Sequence, residues 1–189
     1  MSKIELEYDP RLPQADIHQA VHKNRFVVVV AHRRMGKTVC AINQLIHSAL
    51  NCELKNPRYA LISPTYSQSK RVAWDMLTEY TRPLQAANNI AELRSDFMGR
   101  RISLYGADNI DALRGIYLDG VVIDEYAQIN PSLFSEIIRP AIADRKGWVM
   151  IIGTPSGKNH FATLRDRAAT GKDGWKLLEF KASETGLLD

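Results

Sequence analysis

Cysteine is scarce in this 189-residue chain: Cys40 and Cys52 are the only two, and they lack any paired or metal-like spacing. A disulfide framework and a thiolate metal site are therefore not expected, and both residues are read as reduced thiols used for packing. Long apolar runs are missing as well. The longest, Phe26 to Ala31, is far too short to cross a bilayer, and the N-terminus is charged from its third residue without a secretory pattern. The expectation is a soluble intracellular protein with no membrane partner. Internal repeats and low-complexity tracts are absent too. Charge is not lopsided, since 25 Lys and Arg against 21 Asp and Glu leave a formal +4. That balance permits a polyanionic partner without requiring one.

What is present is a regular alternation. Apolar runs at 26–31, 59–63, 101–105, 120–124, 148–153 and 175–180 alternate with helix-like stretches near 37–50, 67–80, 132–139 and 159–169. Several of the runs are continuously apolar, as in strands covered on both faces. The alternation predicts a single three-layer α/β domain with a mainly parallel central sheet. The region from about 83 to 118 is less regular, and its "GADNIDALRG" is either a functional loop or an exposed connector.

Residues 27–40, "VVVVAHRRMGKTVC", combine a buried strand, a turn, Gly-Lys-Thr and a helix. Such a turn presents backbone N–H groups and a helix dipole to phosphate. Lys37 would reach the β- and γ-phosphates of a nucleotide, and the Thr38 hydroxyl would ligate magnesium. Ala31 stands where the usual pattern has its first glycine, which is tolerable unless that position needs positive φ. The nucleotide-binding set is then Ala31, Arg33, Arg34, Met35, Gly36, Lys37 and Thr38. A second element, "GVVIDEYA", sets Asp124 and Glu125 at the end of an apolar strand. Ligands of open α/β sheets lie beyond the carboxyl ends of strands, so the two elements can converge. Asp124 would hold magnesium and Glu125 would act as general base on water. A base-reading Asn-Lys-x-Asp element is absent, which speaks against a GTPase.

Five segments, in order, resemble the ATPase domain of the large terminase subunit of tailed bacteriophages. They are "YDPRLPQADIHQAVHKNRFVVVVA", "AHRRMGKT", "ALISPTYSQSKRVAW", "NIDALRGIYLDGVVIDEYAQI" and "MIIGTPSGKNHF", together covering roughly 8 to 181. The resemblance implies a RecA-like fold of the additional-strand type, with the strand ending at Gly153 between those ending at Ala31 and Asp124. It implies ATP hydrolysis with magnesium, powering translocation of double-stranded viral DNA within a homo-oligomeric ring. A portal protein, a small terminase subunit and the host cytoplasm follow from it as partners and location. Arg33 is similar to the arginine the family sets against the γ-phosphate, and Arg114 to one acting in trans; an ordinary surface arginine is the other reading of Arg114. Thr154 falls in the coupling motif, where Pro155 and Gly157 also read as plain turn residues. Gln14, seventeen residues before Ala31, matches an adenine-recognition position, and Tyr8 would stack on the base. Arg34 matches no role and reads as a solvated or DNA-facing charge.

Basic positions at Lys70, Arg71, Arg94, Arg100, Arg101, Arg165, Arg167 and Lys172 are candidate phosphate contacts. His18 and His22 have the spacing of a helical metal pair, but no third ligand suggests itself, and no zinc is expected. Residues 1–181 are expected to form the ATPase domain. The polar tail at 182–189 would begin a linker to a nuclease domain absent from this chain. Two alternatives remain open: a DExx-box helicase-like ATPase, and a nucleotide-gated ring-assembly module.

Overall fold

The computed structural model describes residues 6–154, 157–181 and 183. Among them an eight-stranded sheet runs β3-β4-β5-β2-β6-β7-β1-β8. Its strands are β1 (Phe26–Ala31), β2 (Arg58–Ser63), β3 (Ala87–Asn89), β4 (Arg94–Phe97), β5 (Arg100–Gly106), β6 (Gly120–Ile123), β7 (Trp148–Gly153) and β8 (Trp175–Phe180). Six are parallel, and only β3 and β4 join antiparallel at one edge. The expected three-layer α/β fold is therefore present. β7 lies between β1 and β6, as the additional-strand arrangement requires. The phosphate-loop strand and the acidic strand thus end on the same side of the sheet.

Two apolar layers account for this architecture. On one face Val27, Val29, Leu61, Leu104 and Ile152 pack under α1 (Leu12–Lys23), α2 (Lys37–Leu50) and α4 (Trp74–Thr81). On the other, Val28, Val30, Ile62, Val121 and Ile151 meet Leu133, Ile138 and Phe161. Alternate residues of β1 thus serve opposite layers, which is why the run is apolar throughout.

Three local expectations change. The single helix at 67–80 is two, α3 (Tyr66–Val72) and α4, parted at Ala73, where φ is −106°. The stretch at 132–139 is a widened π-helix, Leu133–Ile138, closing into a last α turn, α5 (Arg139–Ala141). It meets Pro140, which lacks the N–H that an α turn would use. Helix α6 (His160–Ala169) keeps the expected position. Helix α1 and the β3–β4 hairpin were not among the expected elements. In α1 the inward stripe is Gln14, Ile17 and Val21, with His18 beside it, so polar residues mask the helical period. Strands β3 and β4 are short and mostly polar; β4 takes its register from β5, and β3 takes its own from β4. Of the tail at 182–189, only Ser183 lies within the described residues.

Candidate active site

The loop after β1 is clamped between two buried residues, Ala31 at the strand end and Met35 in the core. Ala31 still pairs with Phe180 of β8 and does not have positive φ, so a Cβ is harmless there. Arg34 and Gly36 take the left-handed conformation, at φ 66° and 82°. Gly36 caps α2, which turns the first amides of that helix toward the loop interior.

Lys37 is 9% exposed, and its ammonium donates to the Ala31 carbonyl at 3.5 Å, the His32 carbonyl at 3.2 Å and the Thr154 hydroxyl at 3.0 Å. The Glu125 carboxylate stands 3.9 Å away. One side chain therefore joins the loop, the end of β7 and the end of β6. Thr38 donates to Asp124 Oδ2 at 3.3 Å, while the Glu125 N–H donates to Asp124 Oδ1 at 2.9 Å. Glu125 is left-handed, with φ 50°, and this bend carries its side chain away from the strand direction. Burial, and then the charge of Glu125, push the Asp124 carboxyl up to about 6. The opposing Glu125 N–H, Lys37 and Thr38 offset only part of that cost. Two hard oxygens, Thr38 Oγ1 and Asp124 Oδ2, thus meet at a buried carboxylate short of positive charge, and that donor set suits a small divalent cation.

The arginines lie outside this cluster. Arg33 and Arg34 are exposed, and the Arg33 guanidinium has no partner among the described residues. Arg114 follows a short 3-10 turn, Ile110–Leu113, and among the described residues pairs only with Asp111, at 3.2 Å, both side chains being largely exposed.

Gln14 and Tyr8 both hydrogen-bond within the fold. The buried Gln14 amide accepts from the Arg11 N–H at 3.0 Å and donates to the Gly36 carbonyl at 3.1 Å. Tyr8 donates to His18 Nε2 at 2.9 Å, and His18 Nδ1 donates to Gln44 Oε1 at 2.6 Å. His18 is thereby a packing residue whose pKa burial lowers, while His22 is exposed. Burial likewise raises the Cys40 thiol to about 12, as suits a core residue.

Several candidate phosphate contacts are already bound to acids or carbonyls. Arg94 and Arg101 share Asp96, Arg167 pairs with Asp173, Arg165 with Asp166, and Arg100 holds the Ala49 carbonyl. Gly157 has φ 62°, which a glycine at a turn adopts freely, whereas Pro155 lies outside the described residues. One brace carried no sequence signal. His160 bonds the Tyr126 carbonyl at 2.9 Å, across 34 residues, and steadies the bend after Glu125.

The family described as terminase large subunit, T4likevirus-type, N-terminal, matches residues 29–184. The terminase large subunit of Thermus phage G20c is 30% identical over 182 residues, covering 82% of this chain and 36% of that protein. The chain therefore spans about a third of the length of the curated relatives it matches. Among solved structures, an ATPase-domain variant of the Thermus phage P74-26 large terminase has a TM-score of 0.82 at 22% identity, covering 96% of this chain and 85% of that one. The large terminase of another thermophilic bacteriophage, solved in complex with ATP-gamma-S, has a TM-score of 0.73 at 17% identity, covering 95% and 46%. At these identities the structural likeness bears on the fold alone. With the family match spanning most of its length, the chain belongs to the N-terminal domain family of T4-like-virus-type terminase large subunits.

Proposed function

We propose that this chain is the ATPase part of a motor that packages double-stranded viral DNA. The observation that carries the proposal is the convergence of Lys37, Thr38, Asp124, Glu125 and Thr154 from three elements at one end of the sheet. Phosphate oxygens of ATP would replace the hydroxyl and carbonyl acceptors around Lys37, leaving its charge matched by theirs. Thr38 and Asp124 would hold magnesium, which when bound neutralises charge building on the phosphates. Glu125 would accept the proton of the attacking water as general base. Its place 3.9 Å from Lys37 puts base and phosphate-binding cation side by side. Thr154, sharing the same lysine, would report the state of the terminal phosphate to the segment after β7.

Arg33 and Arg114 would supply planar donors for charge on the transferred phosphoryl group. Arg114 would do so from a neighbouring subunit of a homo-oligomeric ring, with a portal protein, a small terminase subunit and DNA completing the assembly in the host cytoplasm.

Phosphate release from ATP, followed against protein concentration with Glu125→Gln as the blank, tests this. Activity per molecule should rise with concentration and vanish in the blank. Turnover that persists in Glu125→Gln would remove the hydrolytic role of this site.

A further inference from the structure

We infer that Gln14 is a positioning residue for the phosphate loop: it sets the Gly36–Lys37 peptide, and so tunes binding of phosphate. This rests on the nucleotide-site reading above.

The chemistry follows from one carbonyl. The Gly36 oxygen accepts from the Cys40 N–H at 3.0 Å, the first hydrogen bond of α2, and also from Gln14 Nε2 at 3.1 Å. A carbonyl has two acceptor sites, and both are used. The peptide unit is planar and trans, so its carbonyl and the next N–H point in opposite directions. Holding the Gly36 oxygen against α1 and α2 therefore aims the Lys37 N–H the other way. That N–H is one of the amides a helix start leaves without a partner, and it is the kind of donor that binds phosphate. Gly36 needs such a restraint. At φ 82° it uses the freedom of glycine, and nothing in its own side chain limits the peptide on either side.

The latch is built closely. A Cβ on Gly36 would lie 2.8 Å from Gln14 Nε2, so the two positions leave no room for a side chain between them. The other end of the amide is fixed as well, because Oε1 closes the first turn of α1 on the Arg11 N–H at 3.0 Å. Gln14 thus has one donor and one acceptor engaged inside the protein, and its side chain is buried at 4% exposure. Helix α1 is itself seated on α2 by His18 bonding Gln44 at 2.6 Å, so the latch stands on a fixed support.

The experiment measures binding of ATP, GTP and inorganic tripolyphosphate to the 189-residue chain, with magnesium, by calorimetry. Gln14→Glu keeps the size and the acceptor that Arg11 uses but loses the donor to Gly36. Gln14→Ala removes both. Ile17→Val loosens the same helix without touching the loop and serves as the stability control. The expected result is that both Gln14 variants weaken all three probes by one common factor, about fivefold, as loss of a single hydrogen bond implies. The ratio of ATP to GTP affinity stays fixed, and Ile17→Val at equal loss of Tm leaves affinities unchanged. A collapse of the ATP to GTP ratio with unaltered tripolyphosphate binding would overturn the inference and make Gln14 a base reader. Unchanged binding of all three probes, or an equal loss in Ile17→Val, would overturn it too. If the unaltered chain binds none of the probes, the nucleotide-site reading itself fails, which the other outcomes do not imply.

Discussion

Lys37 and Arg114 are two cations on loops of one domain, and they are held in opposite ways. The Lys37 ammonium is nearly buried and has three oxygen acceptors within 3.5 Å, with a carboxylate at 3.9 Å. The Arg114 side chain is 65% exposed, and it pairs with Asp111, itself 91% exposed. A buried charge must be matched before a ligand arrives, so the fold supplies acceptors that a phosphate can later replace. An exposed pair is worth little, about 0–1 kcal/mol, and can part at small cost to meet another surface. The phosphate-loop corner is thus organised within one chain, whereas the Arg114 loop is left adjustable. That division is what a site completed between subunits would need.

Removing the buried cation should have the largest effect. Lys37→Ala is expected to abolish ATP binding, measured by calorimetry; an affinity equal to that of the unaltered chain would sink the phosphate-loop assignment. Next comes the adjustable cation. Arg114→Ala should lower hydrolysis about a thousandfold in associated chains while sparing ATP affinity and thermal stability. Normal turnover at high protein concentration would retire its action in trans.

A third prediction concerns the acid beside the buried cation. The Asp124 carboxyl, at about 6 in the fold against an ordinary 3.8, is harder to ionise folded than unfolded. Its ionisation therefore opposes folding. The penalty is absent below about pH 4, grows as pH rises through 6, and above that amounts to about 3 kcal/mol. In magnesium-free buffer Asp124→Asn should raise the melting temperature at pH 8 and leave it nearly unchanged at pH 4. An equal shift at both pH values would contradict the burial account. The smallest effect is expected in the loop backbone. Arg34→Gly relieves a left-handed residue, with φ 66°, and should change stability by less than about 1 kcal/mol. A loss of nucleotide binding in that variant would show that the Arg34 side chain takes part in the site.

The legible parts of the sequence were those whose signal is local. The apolar runs at 26–31 and 148–153 coincide with β1 and β7, because strands buried on both faces must be apolar at every position. Gly36, Lys37 and Thr38 were visible because a glycine turn before a helix is written in consecutive residues. The β3–β4 hairpin was not visible, since its strands are held by pairing, β3 on β4 and β4 on β5, and not by their own composition. Helix α1 was hidden by two polar residues, Gln14 in its inward stripe and His18 beside it. Their burial is compensated by partners 22 and 26 residues away.

By itself the sequence determined the parallel sheet, the position of the phosphate loop and the pair Asp124–Glu125, since each depends on neighbours along the chain. Only the tertiary structure decided that Lys37 is shared among Thr154, His32 and Ala31, that Gln14 grips Gly36, and that the arginines stand outside the cluster. Hydrogen bonds form between groups that meet in space. Which groups meet is set by the order β6-β7-β1 and by the docking of α1 on α2, and no local pattern encodes either.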